Sequence, residues 1–266
     1  MDSSKTMLFV IPLRNPSTAD NWKRCVELCR RSVESAAGQR NVPADKVQVI
    51  LVCKSYPHSI SHPENVTVLR HDFPDPGSRR GMRKDKYRKI KMGLVHACQY
   101  TPTYVMKMDA DDLVSARIAE YVLSDDNEHG YYVEKGYVWK RGSFFLKRKG
   151  DFHRGCGTSN VLYAEKESLP QSMEDTKDYD LISLGHNIAV DTFAERKSPL
   201  SPLPFRGAVK VMHGQNISST HPLDHYHSGA SPNWKYYAGK IIFGVKDLIH
   251  YRPSGPVLSA FGKTRW

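Results

Sequence analysis

The sequence predicts an α/β fold with a mixed, mostly parallel sheet flanked by helices. Three observations carry this. Short, wholly or largely apolar runs recur at residues 7–12, 47–53 and 104–108, as suits strands buried on both faces. Segments with apolar residues at helical spacing lie between them. The order strand, helix, strand, strand, helix, strand is the alternation that builds parallel sheets.

The first strand is MLFVIP, residues 7–12. Trp22, Cys25, Val26, Cys29, Val33 and Ala36 then recur at helical spacing, with Asp20 or Asn21 placed to cap the helix. VQVILVC (47–53) is the second strand and residues 66–69 a short third. Ile90, Leu94, Ala97 and Cys98 mark a helix over about 85–98. Residues 104–108 form the next strand, which ends in Asp109-Ala110-Asp111-Asp112.

Beyond it, residues 131–139 and 143–146 read as a hairpin rich in aromatic and β-branched residues. A glycine-rich stretch from Gly155 to Asn160 leads into another strand. Residues 178–184 predict a short helix closed by Gly185, and 188–190 a last short strand. Residues 198–204 are a proline-rich connection, 209–212 are apolar apart from Lys210, and 234–249 carry a strong amphipathic helix.

Of 266 residues, 39% are hydrophobic and 25% charged, which is enough apolar material for a packed core. Lys plus Arg number 39 against 28 Asp plus Glu, a formal charge of +11. Such an excess points to an anionic partner: nucleic acid, an anionic membrane surface or a phosphorylated small molecule. The densest basic stretch is 79–91, followed by Lys140-Arg141 and 147–149. No apolar run approaches the roughly 18 residues that span a bilayer. The apolar run near the start stops at Leu13, unlike a secretory leader. Five cysteines at irregular spacing, with no CxxC pair, argue against thiolate zinc and for a reducing, cytoplasmic location.

The acidic cluster is the sharpest chemical signal. Parallel sheets bind ligands at the carboxyl ends of their strands. Three carboxylates crowded at such an end repel one another unless a cation relieves them. Carboxylate oxygens suit hard divalent ions that complete their shell with water and phosphate oxygens. The competing reading is a plain turn, with Asp112 capping a helix over 115–122.

The order MLFVIPLRN, amphipathic helix, VQVILVCKS, basic helix and YVMKMDADD resembles the GT-A fold glycosyltransferases, Rossmann-like enzymes of the family 2 type, over about residues 7–190. The DxD motif of that superfamily lies where Asp109-Ala110-Asp111 lies. The resemblance implies Mn2+ or Mg2+ bridging the diphosphate of a nucleotide-sugar donor, and a hexosyl group passed to a glycan or lipid-linked hydroxyl, with inversion expected. Asp111 would be the main metal ligand, Asp109 would face ribose or metal, and Asp112 would support either. His213, at a late strand end, would supply an imidazole ligand; His221, His225 and His227 compete with it. Pro12, Arg14, Lys86 and Lys89, with Asp109 and Ala110, would meet the donor. The family's aspartate after the second strand is replaced by Cys53-Lys54-Ser55.

Inverting transfer needs a base for the acceptor hydroxyl. In the family this is often the Asp of an ED motif opening a helix. Asp178 is the preferred match, with Asp175 and Asp180 as alternatives. Tyr131, Tyr132, Trp139, Phe144 and Phe145 form either a sugar-stacking wall or a packed hairpin. The resemblance also implies one catalytic domain over 1–266, with a nucleotide-binding half (1–115), an acceptor-binding half (116–230) and a C-terminal helical segment (231–266). The basic face of that segment allows peripheral contact with the inner face of a membrane. The rival readings are a nucleotidyltransferase and a basic nucleic-acid-binding protein; on the leading reading no nucleic acid is expected.

Overall fold

Every residue from Met7 to Pro12 is buried, and this strand organises the molecule. The computed structural model describes residues 5–125, 127–141, 145–213 and 261. Its elements are β1 (Thr6–Pro12), α1 (Trp22–Ala37), β2 (Val47–Cys53), β3 (Val66–Arg70), α2 (Arg79–Ala97), β4 (Thr103–Lys107), β5 (Leu113–Val114) and α3 (Ile118–Asp125). There follow β6 (Gly130–Tyr132), β7 (Lys135–Lys140), β8 (Leu146–Lys149), α4 (Phe152–Gly155), β9 (Asn160–Ala164), α5 (Asp180–Ser183), α6 (Ala189–Glu195), β10 (Ser201–Pro202) and β11 (Arg206–Met212).

The main sheet has seven strands in the order β10-β6-β9-β4-β1-β2-β3. β4, β1, β2 and β3 are mutually parallel, and β9 runs antiparallel between β4 and β6. Side chains alternate across it. Met7, Phe9 and Ile11 join Val26, Cys29 and Val33 of α1 and Ile118 and Val122 of α3 in one apolar layer. Leu8 and Val10 join Ile90, Leu94 and Ala97 of α2 in the other. Gly93 lets α2 sit close to the sheet: a Cβ there would come within 2.5 Å of Val10 Cγ1. A second sheet, β5-β11-β7-β8, packs Tyr137, Trp139, Val209 and Val211 with Leu28 of α1.

Caps explain the helix starts. Asn21 accepts from Arg24 N at 2.9 Å and opens α1. Ser78 accepts from Gly81 N at 3.0 Å, so α2 begins at Arg79, ahead of the apolar spacing that suggested about 85. The added turns are basic and mostly exposed, so no periodicity marks them.

Several expectations need correction. Residues 188–190 enter a helix, α6, because Val190 and Phe193 turn one face onto the α2 layer. The helix expected over 178–184 is the single turn α5. Asp112 caps no helix; α3 starts later, at Ile118. The expected strand over 131–139 is broken at Val133-Glu134: β6 joins the main sheet, while β7 pairs with β8 in the second. Tyr131 and Trp139 are buried, so they pack rather than line a wall, and Phe144 lies outside the described residues. The helix over 234–249 and His221, His225 and His227 also lie outside them. Among the described residues no helix is long and apolar enough to cross a membrane, and none of the five cysteines is in a disulfide.

His153 on α4 is buried edge-on against Tyr132, with ring centroids 4.8 Å apart. Burial, then Arg154, lowers its pKa from 6.5. Its stabilising contribution is complete above 6.5 and is lost as pH falls through that value towards the lower folded one. The Tm difference between wild type and His153→Gln is therefore expected to shrink between about pH 7.5 and 5.5. A difference that does not change with pH would count against this.

Candidate functional site

β4 delivers the acidic turn. Met108 N continues the ladder to Val10 O, and the chain then folds so that Asp112 N donates to Asp109 O at 3.1 Å. The turn sorts its three carboxylates by direction. Asp109 and Asp111 remain partly exposed, whereas Asp112 is 2% exposed and points inward. Val211 N donates to Asp112 Oδ1 at 3.0 Å. The Thr158 hydroxyl, at 2.7 Å, and the Cys156 thiol, at 3.1 Å, donate to Asp112 Oδ2. Thr158 Oγ in turn accepts from Asp109 N at 2.9 Å. Burial, then the charges of Asp111 and Asp109, pushes the Asp112 pKa up to about 8.

The two outward carboxylates meet other side chains of the chain itself, a lysine and a histidine. Lys86 from α2 forms an ion pair with Asp109. Burial opposes charge on both partners, but their mutual attraction outweighs it, holding Asp109 below and Lys86 above its usual value. His213, just after β11, places Nε2 2.7 Å from Asp111 Oδ2, and Arg24 of α1 donates to the His213 carbonyl at 3.1 Å. Gly157 stands beside Asp109: a Cβ there would lie 2.9 Å from Asp109 Oδ2.

Ligand oxygens of Asp109, Asp111 and Asp112 can lie within 4.8 Å of one another. Asp109 and Asp111, with an imidazole beside them, fit a hard divalent ion that takes few protein ligands. Asp112 fits less well as a direct ligand, because both of its oxygens already accept from Val211, Thr158 and Cys156.

A cavity of about 500 Å3 opens over this turn. Pro12, Arg14, Lys86, Lys89, Asp109, Ala110, Asp111, Asp112 and His213 all border it. The sequence therefore named residues from β1, α2, the β4 turn and the end of β11 that the fold brings to one place. Asp175, Asp178 and Asp180 do not border it. Asp175 accepts from the Tyr179 hydroxyl at 2.5 Å and from Lys177 N at 3.0 Å. Asp178 is exposed. Asp180 pairs with Arg196 at 2.6 Å, and its charge reaches Lys107 in the cavity wall.

Sequence reasoning missed Lys107, His186, Lys210 and Asp85, all of which border the cavity. Lys107 and Lys210 left a signal: each is a lone lysine near the end of an apolar strand. Burial, then repulsion by Lys86, brings the Lys107 pKa down to about 8. Lys210 Nζ donates to Gly155 O at 2.6 Å. Burial lowers the His186 pKa from 6.5, so its ring is neutral at pH 7.

No protein-family model matches the chain, and no curated protein matches it. Among solved structures it is similar to residues 1–349 of S. aureus TarS, with 11% identity and a TM-score of 0.43 over 77% of this chain and 60% of that one. A longer TarS structure gives 11% identity and a TM-score of 0.41, over 78% of this chain and 37% of that one. A Bacillus anthracis protein assigned as a glucose-1-phosphate thymidylyltransferase, in complex with a sucrose, gives 9% identity and 0.39 over 76% and 87%. The chain thus spans about 60% of the shorter TarS structure. At such identities and TM-scores, function has to be read from the residues of the site.

Proposed function

We propose that the chain is a glycosyltransferase that moves a hexosyl group from a nucleotide-diphosphate donor to a hydroxyl of a glycan or lipid-linked acceptor, with a divalent metal. One observation carries this reading. Two carboxylates at the end of a parallel strand face a cavity whose walls also hold Arg14, Lys86, Lys107 and Lys210. Carboxylates suit a cation, and the surrounding cations suit a polyanion, so the site matches a metal diphosphate better than either alone.

Asp109, Asp111 and His213 would hold Mn2+ or Mg2+, which would supply Lewis-acid stabilisation of the departing diphosphate. The chain's own residues do the remaining work. Lys86, Lys107 and Lys210 offset phosphate charge, and Arg24 fixes the backbone that carries His213. The absence of a side chain at Gly157 leaves room beside Asp109. On this reading residues 1–115 carry the donor, 116–230 the acceptor, and the basic 231–266 segment contacts a membrane surface where the acceptor is lipid-linked.

The acceptor proton needs a base on the segment that runs from α5 into the cavity wall. His186 borders the cavity with a neutral ring, and Asp180 lies near Lys107. One of His186→Gln and Asp180→Asn is expected to lower kcat by about 10²–10⁴-fold. Asp178→Asn and Asp175→Asn are expected to stay within a few fold of wild type, since the first side chain is exposed and the second is engaged with Tyr179 and Lys177. Loss confined to Asp178→Asn would move the base there.

Thermal shift and calorimetry against UDP, GDP, CDP and dTDP, with Mn2+ and with EDTA, test the reading as a whole. One nucleotide is expected to stabilise the protein only with metal, by about 2.7 kcal/mol at a hundred times its Kd. If no nucleotide stabilises it with either Mn2+ or Mg2+, the reading is wrong.

A further inference from the structure

The basic stretches of the sequence put only part of their charge into the cavity. α2 buries one face, with Asp85, Lys89, Ile90 and Leu94 inside. Arg80, Arg83, Lys84, Tyr87 and Arg88 recur at i, i+3, i+4, i+7 and i+8, and all are exposed. They form one cationic helix face with an aromatic ring in it. Asp85 is the only acidic residue of α2 and is buried against Lys89, so the helix itself places no carboxylate on that face. Arg83 and Tyr87 border the cavity, so this face forms part of its rim.

A second part of the rim is the end of the second sheet, where β11 runs into His213. Lys140 pairs in register with Met212, and Arg141 N donates to Met212 O at 2.9 Å. The stretch from Lys135 to Lys149 contains no acidic residue. Among the described residues four large apolar side chains are exposed, at 40–47%: Tyr87, Phe145, Ile188 and Met212. Each lies on or close to this rim. Tyr87 borders the cavity, Met212 precedes His213, and Ile188 follows His186 by two residues; both histidines border the cavity. Phe145 adjoins Leu146, which pairs with Trp139 at the Met212 end of the second sheet.

We propose that this rim docks on an anionic lipid bilayer, with the cavity mouth turned to the membrane. The apolar tips enter the boundary between headgroups and acyl chains, and the Arg and Lys side chains meet lipid phosphates. The aliphatic tips favour a bilayer over nucleic acid. Tyr87 and Phe145 offer rings that stack on bases, but Ile188 and Met212 have none and gain only by leaving water for an apolar layer. A lipid-linked acceptor then brings its hydroxyl to the cavity without leaving the membrane. That role rests on the glycosyltransferase reading, and the docking does not.

Co-sedimentation of the full chain with vesicles tests this, using phosphatidylcholine alone and an equal mixture with phosphatidylglycerol. Wild type is expected to bind the mixed vesicles at least about tenfold more tightly than the neutral ones, and less so in high salt. Arg80→Glu, Lys84→Glu and Arg88→Glu together are expected to lower that binding by about tenfold or more. None of the three borders the cavity, so the metal-dependent stabilisation by nucleotide should persist. Phe145→Ser with Ile188→Ser should lower vesicle binding several-fold even in high salt. Hydrogen exchange needs no variant: mixed vesicles should slow it in peptides covering 79–88 and 186–190. Equal vesicle binding by wild type and the triple variant, or slowing confined to 231–266, would overturn the rim as the docking surface. So would salt-sensitive binding to single-stranded RNA with no binding to vesicles, which would give the face to a nucleic acid. No vesicle binding with the nucleotide response intact would overturn the docking alone. Vesicle binding with no nucleotide response would keep the docking and remove the transferase reading.

Discussion

Asp111→Ala is expected to lose about 10³-fold or more of kcat/KM, equivalent to about 4 kcal/mol of transition-state stabilisation. It is also expected to lose the metal-dependent stabilisation by nucleotide. Asp111 stands at the centre of the outward-facing set, between Asp109 and the His213 imidazole, which it meets at 2.7 Å. Removing it takes away an anionic ligand and also the partner that positions His213. Stability should change far less than activity. The Asp111 side chain is 24% exposed, whereas Asp112 is buried and accepts from the Val211 backbone. Asp111→Asn separates the two roles, since the amide keeps the shape and can still meet His213 but is a poor ligand for a hard cation. Asp111→Asn should therefore resemble Asp111→Ala in metal-dependent binding and wild type in Tm. Retention of metal-dependent nucleotide binding by Asp111→Ala would remove the acidic turn from the site.

How much of this was legible in the sequence depends on where each residue's partners lie. β1 and β2 are buried on both faces, so an unbroken apolar run marked each of them. The acidic turn was legible for the same reason: carboxylates end a strand that is otherwise core. The opposite direction of Asp112 was not legible. It depends on Thr158, 46 residues away, and on Val211, 99 residues away. Nothing local distinguishes Asp112 from Asp111. The basic start of α2 hid for a different reason, since an exposed, cap-driven helix end has no apolar spacing. Asp85 and Lys89 looked like any i, i+4 surface pair, and only the fold shows them buried with one acceptor left over. The ED-like stretch shows the same dependence on the fold. Its motif is local, but the 180–186 segment approaches the cavity through Leu184, Gly185 and His186.

Asp112→Ala is expected to act on the fold before it acts on chemistry, lowering stability by about 3–5 kcal/mol. Asp112 joins three pieces of chain: the β4 turn, the loop into β9 through Cys156 and Thr158, and β11 of the second sheet through Val211 N. Alanine would leave the Val211 N–H and the Thr158 hydroxyl buried without their acceptor. Thr158 would then hold Asp109 N less firmly, since its hydroxyl is the bridge between the two aspartates. Asp112→Asn should be much milder, at about 1 kcal/mol. Burial and the neighbouring aspartates already push its pKa up, so the charged form is disfavoured there, and an amide of the same shape keeps an oxygen for Val211 N. Urea denaturation followed by circular dichroism would measure both variants, with the midpoint falling and the slope unchanged if the transition stays two-state. Equal losses for alanine and asparagine would mean that the charge of Asp112, not its hydrogen bonds, joins the two sheets. A negligible loss for alanine would mean that the turn is held from elsewhere, and Asp112 would then return to the pool of metal ligands.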